Sequence, residues 1–113
     1  MKWFSSKVRV VCLVEPEGAQ RYMDSVYVFK ADDFETAFQR AVDLGKEQEE
    51  EYLNAENQIV RWRLKEVISL DVINHTSLDG AEVYSEPVEL EVGARLPFDA
   101  DFQPEKSLPT QTV

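Results

Sequence analysis

The spacing of hydrophobic and polar positions changes period along the chain, and each change marks an element. From Trp3 to Val14 the residues are largely β-branched or aromatic, with Phe4, Val8, Val10, Cys12 and Val14 on one parity. Successive strand side chains point to opposite faces, so this set predicts a strand with one apolar face. Glu15-Pro16-Glu17-Gly18 breaks the pattern, and Tyr22 to Ala31 resumes it through Val26-Tyr27-Val28-Phe29. The short connection predicts an antiparallel hairpin.

The period then lengthens. Phe34, Ala37, Phe38, Ala41, Gly45, Gln48 and Tyr52 trace one face of a helix. Asp32, with Glu35 three residues on, predicts a capping box at its start. Gly45 lies within the apolar stripe, where a missing side chain lets the helix approach a sheet closely. That placement costs about 1 kcal/mol of helix propensity relative to Ala.

Gln58 to Ile73 returns to period two. Val60, Trp62, Leu64, Ile68, Leu70 and Val72 take one parity, and Arg61, Arg63, Lys65 and Asp71 the other. Glu66 falls on the apolar parity. A β-bulge that turns it outward is expected, the alternative being a buried carboxyl with a raised pKa. Asn74 to Gly80 reads as a turn ending in Asp-Gly, and Glu82 to Val92 as a last strand. Pro87 inside that stretch predicts an edge or bulged strand, because proline donates no ladder hydrogen bond.

Together these give an α+β fold: a mainly antiparallel sheet in the order strand–strand–helix–strand–strand, with one helix packed on one face. Residues 1–92 form a single domain on this reading. Residues 93–113 form a tail carrying Pro97, Pro104 and Pro109, docked in part through Phe98 and Phe102. Its last ten residues are expected to be disordered.

A chain of 113 residues is long enough for one real core without metal or disulfide staples. With 22 acidic and 12 basic residues the net charge is −10, which opposes both phosphate-directed nucleic-acid binding and anionic lipid. The charge is polarised: residues 1–31 carry net +2, 32–56 carry −7, 57–75 carry +1 and 76–113 carry −6. One cysteine and one histidine exclude an intramolecular disulfide, a multi-cysteine zinc site and a His-pair metal motif. Lys7 and Arg9 interrupt any signal-peptide core, and no run approaches the roughly 20 apolar residues of a membrane span. A cytoplasmic protein with neither cofactor nor metal is expected.

Two surfaces stand out. Lys7, Arg9, Arg61, Arg63 and Lys65 take the parity facing away from the helix, and Val11, Leu13, Tyr27, Phe29 and Val67 are expected to join them. One use of this face is a cross-strand ladder with Glu89 and Glu91. The other is contact with a protein partner or a second copy, through Lys7, Arg9, Tyr27, Phe29, Arg61, Arg63 and Lys65. Glu47, Glu49, Glu50 and Glu51 form the second surface. They read as a solvated helix end, or as an acidic patch with which an inhibitor blocks a partner's basic site. Their spacing matches no EF-hand.

Candidate chemistry is sparse. His75 reads as a turn residue, Cys12 as an inert buried thiol, and Trp3 and Trp62 as core. Tyr84-Ser85-Glu86 has no nearby base. The sequence contains no glycine-rich phosphate loop, no GxSxG and no HExxH, so no catalytic residue is expected.

Several local patterns recur in order: Trp3-Phe4-Ser5, Val26-Tyr27-Val28 ahead of Ala31-Asp32, Glu51-Tyr52-x-Asn54, Val60-Arg61-Trp62-Arg63, and Gly80-x-Glu82-Val83-Tyr84-Ser85. As a set, over residues 3–86, the chain resembles a family of short, stand-alone bacterial domains of unknown function. Glu86 departs from that family's pattern, where a basic residue is more common. The resemblance implies a bacterial, cytoplasmic protein and carries no activity, cofactor or catalytic residue with it.

Overall fold

Three long strands dominate the computed structural model, which describes residues 1–110. Strand β1 spans Lys2–Val14, β2 Gly18–Ala31 and β4 Ile59–Ile73, with helix α1 at Phe34–Lys46 and a short β3 at Glu50–Leu53. All pairings are antiparallel, in the order β2-β1-β4-β3. The expected class and element order are therefore present.

Two elements differ from the sequence reading. Residues 82–92 form no strand, and the fourth strand is Glu50–Leu53, which helical spacing had assigned to the helix. The helix stops at Lys46 because carboxylates cluster at its C-terminal end, where the dipole disfavours negative charge. A turn at Asn54–Gln58 then sends the chain into β4. Asn54 Oδ1 accepts hydrogen bonds from the Glu56 and Gln58 N–H groups, both at 3.0 Å, and Asn57 sits at φ 63°. Asparagine suits both tasks, since its side chain caps nearby backbone and it tolerates the left-handed region.

The helix begins one residue later than expected. Asp33, not Asp32, is the N-cap, its Oδ1 accepting the Thr36 N–H at 2.7 Å. That bond holds the Asp33 carboxyl below its ordinary pKa. Ala37, Ala41 and Gly45 form the buried stripe, while Phe34 and Phe38 are exposed. These small residues let α1 lie close over Phe4 and Phe29, whose rings stack with centroids 6.4 Å apart. Val8 and Ala31 complete the cluster, with Tyr27, Leu44, Leu64, Val67 and Leu70 packed around it. At Gly45 a Cβ would lie only 2.6 Å from Leu64 Cδ1, so the close approach predicted for this glycine is real.

Strand β4 carries two extra residues relative to β1. Lys7 pairs with Ser69 and Val8 with Val67, skipping Ile68; Arg9 pairs with Glu66 and Val10 with Leu64, skipping Lys65. Each insertion shifts the facing of the residues around it. Glu66 is thereby turned to the outer face opposite Arg9, as the bulge reading expects, and Val67 is turned to the helix face, against expectation.

The helix is far shorter than the sheet. Thirteen residues of α1 rise about 20 Å, whereas the fifteen of β4 extend about 50 Å. The main core accordingly occupies one end, and Cys12 is buried beyond it. Trp3 and Trp62, expected in the core, are only half-buried: Lys30 Nζ lies over the Trp3 ring at 4.9 Å, and the Trp62 indole N–H donates to Tyr52 Oη at 3.2 Å.

From Asn74 onward the only regular element among the described residues is the 3₁₀ turn Pro104–Lys106. Of the ten terminal residues expected to be disordered, 111–113 lie outside the described residues. The radius of gyration is 18.7 Å, against about 13 Å for a compact chain of this length.

Candidate interaction surface

Pairing between strands fixes what each face displays. The helix-free face carries Lys7, Arg9, Val11 and Leu13 from β1, Tyr22, Asp24, Val26 and Val28 from β2, and Arg61, Arg63 and Glu66 from β4. Tyr27 and Phe29 are not there. Opposite Ser6 and Phe4, they point toward the helix, where Phe29 is buried and Tyr27 Oη accepts a hydrogen bond from Gln48 Nε2. Val26-Tyr27-Val28-Phe29 is apolar at both parities, so periodicity does not choose its inward face; register with β1 does.

Each basic side chain expected to form a contact surface already faces a carboxylate. Arg9 meets Asp24 through two hydrogen bonds, Nε to Oδ1 at 2.7 Å and Nη2 to Oδ2 at 2.8 Å. This fork pulls the Asp24 carboxyl below its ordinary pKa and raises that of Arg9. Arg61 binds Glu51 directly across the β3–β4 pair, Nε to Oε1 at 2.9 Å. Glu49 Oε2 accepts both the Leu64 N–H at 3.0 Å and Arg63 Nε at 3.3 Å. The backbone bond is the main cause that lowers the Glu49 pKa, with Arg63 adding to it. Lys65 Nζ lies 3.3 Å from Glu66 Oε1 and over the Tyr22 ring at 5.7 Å.

The expected basic and acidic surfaces are thus one surface. Glu49 and Glu51, drawn from the acidic cluster, neutralise Arg63 and Arg61, and all four line a shallow cleft with Glu50 and Trp62. Glu47 is the helix C-cap, and Glu50 is exposed opposite Trp62. A charge ladder is present, as the first use of this face anticipated, but its carboxylates are Asp24, Glu49, Glu51 and Glu86 rather than Glu89 and Glu91.

Glu86 arrives by a route the periodicity does not reveal. Residues 82–86 cross the outer face, and Glu86 Oε2 accepts from Lys7 Nζ at 2.9 Å and from Tyr84 Oη at 3.2 Å. Lys7 also lies over the Tyr84 ring at 5.3 Å. Glu86 and Tyr84 raise the Lys7 pKa, and Lys7 in turn lowers that of Glu86. Beside this crossing is a cleft of about 320 Å³ lined by Ser5, Asp71, His75, Glu82 and Tyr84, among others. Ser5 is buried there with no hydrogen-bond partner for its hydroxyl. His75 is exposed at the rim.

After this crossing the chain exposes large apolar side chains, including Val88 (80%), Leu90 (74%), Phe98 and Leu108. Among the described residues no group of three His, Cys, Asp or Glu side chains is placed to hold a metal, and no helix is long and apolar enough to cross a membrane.

No curated protein and no solved structure matches the chain. A family model matches residues 3–85, which include β1 but for Lys2, all of β2 to β4 and α1, and most of the segment crossing the outer face. On that match the chain belongs to DUF4288, a family of domains of unknown function.

Proposed function

We propose that this chain is a non-catalytic interaction domain, acting in the bacterial cytoplasm, which associates with a protein or with its own kind. Its contact surface is the outer sheet face together with the apolar segment that leaves it after Glu86. The observation that carries this reading is the surface left uncovered. The chain alone presents 9259 Å², whereas a compact folded monomer of 13.0 kDa presents roughly 6,300 Å².

The excess is rich in aliphatic and aromatic side chains, and exposed apolar patches of this kind mark association surfaces. The basic groups of the outer face do not supply free charge for a partner, because their carboxylates are already in place. They fix the shape and register of the face, and the apolar groups beside it supply the driving force. An acidic inhibitor is less well supported, since Glu49 and Glu51 are committed to Arg63 and Arg61.

Immobilised full-length chain and a Leu90→Asp/Phe98→Asp variant test the reading side by side. The native chain should retain a stoichiometric protein, foreign or its own, with retention falling at least about tenfold in the variant, or 1.4 kcal/mol. Equal retention by both, or none by either, would overturn it.

A further inference from the structure

Five carboxylates on or beside the outer face, Asp24, Glu49, Glu51, Glu66 and Glu86, each lie within 3.3 Å of an arginine or lysine nitrogen. Asp71 and Glu82 do not. Among the described residues neither enters a salt bridge. Both line the cleft of about 320 Å³ beside the crossing segment, Asp71 from the sheet and Glu82 from the wall laid over it. Lys7, two positions along β1 from Ser5, is already committed to Glu86 and Asp24.

Ser5 points to the same cleft independently. It pairs directly opposite Asp71 and is 1% exposed. Among the described residues its hydroxyl is the one buried side-chain polar atom with no hydrogen bond. Adjacent Ser6 is equally buried but faces the helix side, where it donates to the Ser69 carbonyl at 2.7 Å. An unsatisfied buried hydroxyl costs stability, and folded proteins keep few of them. The wall formed by residues 82–85 is anchored through the Lys7 contacts to Tyr84 and Glu86 rather than by strand pairing. It can therefore shift to admit a ligand to the Ser5 hydroxyl.

Two carboxylates without counterions select a cation. Asp71, His75 and Glu82 are not placed to share one metal ion, so the charge they select is carried on separated groups. Ile73 and Val83 add apolar lining that suits methylenes. The volume lies at the small end of ligand pockets. We propose that this cleft binds a small alkyl diammonium ion, one ammonium between Asp71 and the Ser5 hydroxyl and the other at Glu82. The site goes beyond the protein-contact reading and does not depend on it, so its failure would leave that reading standing.

Chemical-shift titration of the full chain with 1,4-diaminobutane tests the site, with butylamine and magnesium chloride for comparison. The diamine should give saturable shifts at the Ser5, Asp71 and Tyr84 amides, with a dissociation constant at least about tenfold below that of the monoamine. Asp71→Asn and Glu82→Gln should each weaken binding at least about tenfold, and Glu89→Gln should leave it unchanged. Ser5→Ala should withstand urea at least as well as the native chain, because it removes an unsatisfied group, yet bind the diamine at least about threefold more weakly. No saturation by about 20 mM diamine would overturn the proposal. So would equal affinity for butylamine, the same shifts from magnesium chloride at matched ionic strength, or equal weakening by Glu89→Gln and Asp71→Asn.

Discussion

Glu49 closes the end of the helix against the open edge of β4: one carboxylate oxygen takes the Leu64 N–H at 3.0 Å and Arg63 Nε at 3.3 Å. The contact joins residues fifteen apart and fixes where the chain leaves α1 for β3. Removing the charge weakens the acceptor of the edge N–H and its attraction for Arg63. Glu49→Gln should therefore loosen the β3–β4 hairpin more than the rest of the sheet. Faster amide exchange at Leu64 and Val60, with the exchange of Val8 unchanged, is the expected result.

The fit of α1 on the sheet is set by small side chains. Gly45→Ala improves helix propensity by about 1 kcal/mol, but its Cβ would meet Leu64 at 2.6 Å. Overpacking of this kind costs roughly 1–3 kcal/mol. A net loss is expected, recovered when Leu64 is shortened to Val in the same chain. Urea denaturation of the two variants checks both the sign and the recovery.

Phe29 sits at the centre of the core, stacked on Phe4 and covered by the helix. Phe29→Ala should cost about 3–5 kcal/mol, through lost burial and the cavity left behind. Val26→Ala, three positions earlier and on the opposite face, should cost less than about 1 kcal/mol. Comparable losses at both positions would contradict the register assigned to β2, and calorimetric melting of the pair decides it.

That contrast marks the limit of what the chain discloses on its own. Where apolar residues sit on one parity, as at Phe4, Val8 and Val10, with Ser5, Lys7 and Arg9 on the other, facing is legible. At Val26 to Phe29 both parities are apolar, so facing is settled only by pairing. The strand Glu50–Leu53 was hidden because Tyr52 continues the helical spacing of Phe34, Ala41 and Gly45, although Asn54 and Asn57 signal the turn after it. The bulge at Glu66 was legible as a polar residue out of phase. The carboxylates of the charge ladder were not, because Glu49, Glu51 and Glu86 reach their arginine and lysine partners through tertiary packing. The crossing of residues 82–86 has no periodic signature at all.

The Lys7–Glu86 contact predicts acid sensitivity. The Glu86 pKa is lowered in the folded chain, so its contribution is present above the unfolded pKa and is lost as pH falls through the folded one. Asp24 and Glu49 share this sign. Below the ordinary carboxylate range, about pH 4, residues 82–86 should leave the outer face, and Lys7→Met should release them at neutral pH. The ring resonances of Tyr84 report the release as they move to the positions of a free tyrosine.

Arg9 and Asp24 pair with favourable two-pronged geometry, yet both lie on a partly solvated face. Asp24→Asn should lower Tm by only a few degrees, in keeping with the modest worth of such pairs. Its larger effect should be on salt dependence: the native chain loses stability between low and high salt, and the variant loses less.

The mass of the full chain in solution, measured by light scattering from micromolar to about 0.5 mM, tests most directly whether the uncovered apolar surface brings two copies together. The account predicts a concentration-dependent rise to twice the 13.0 kDa of one chain. A mass that stays at 13.0 kDa over the whole range would contradict it.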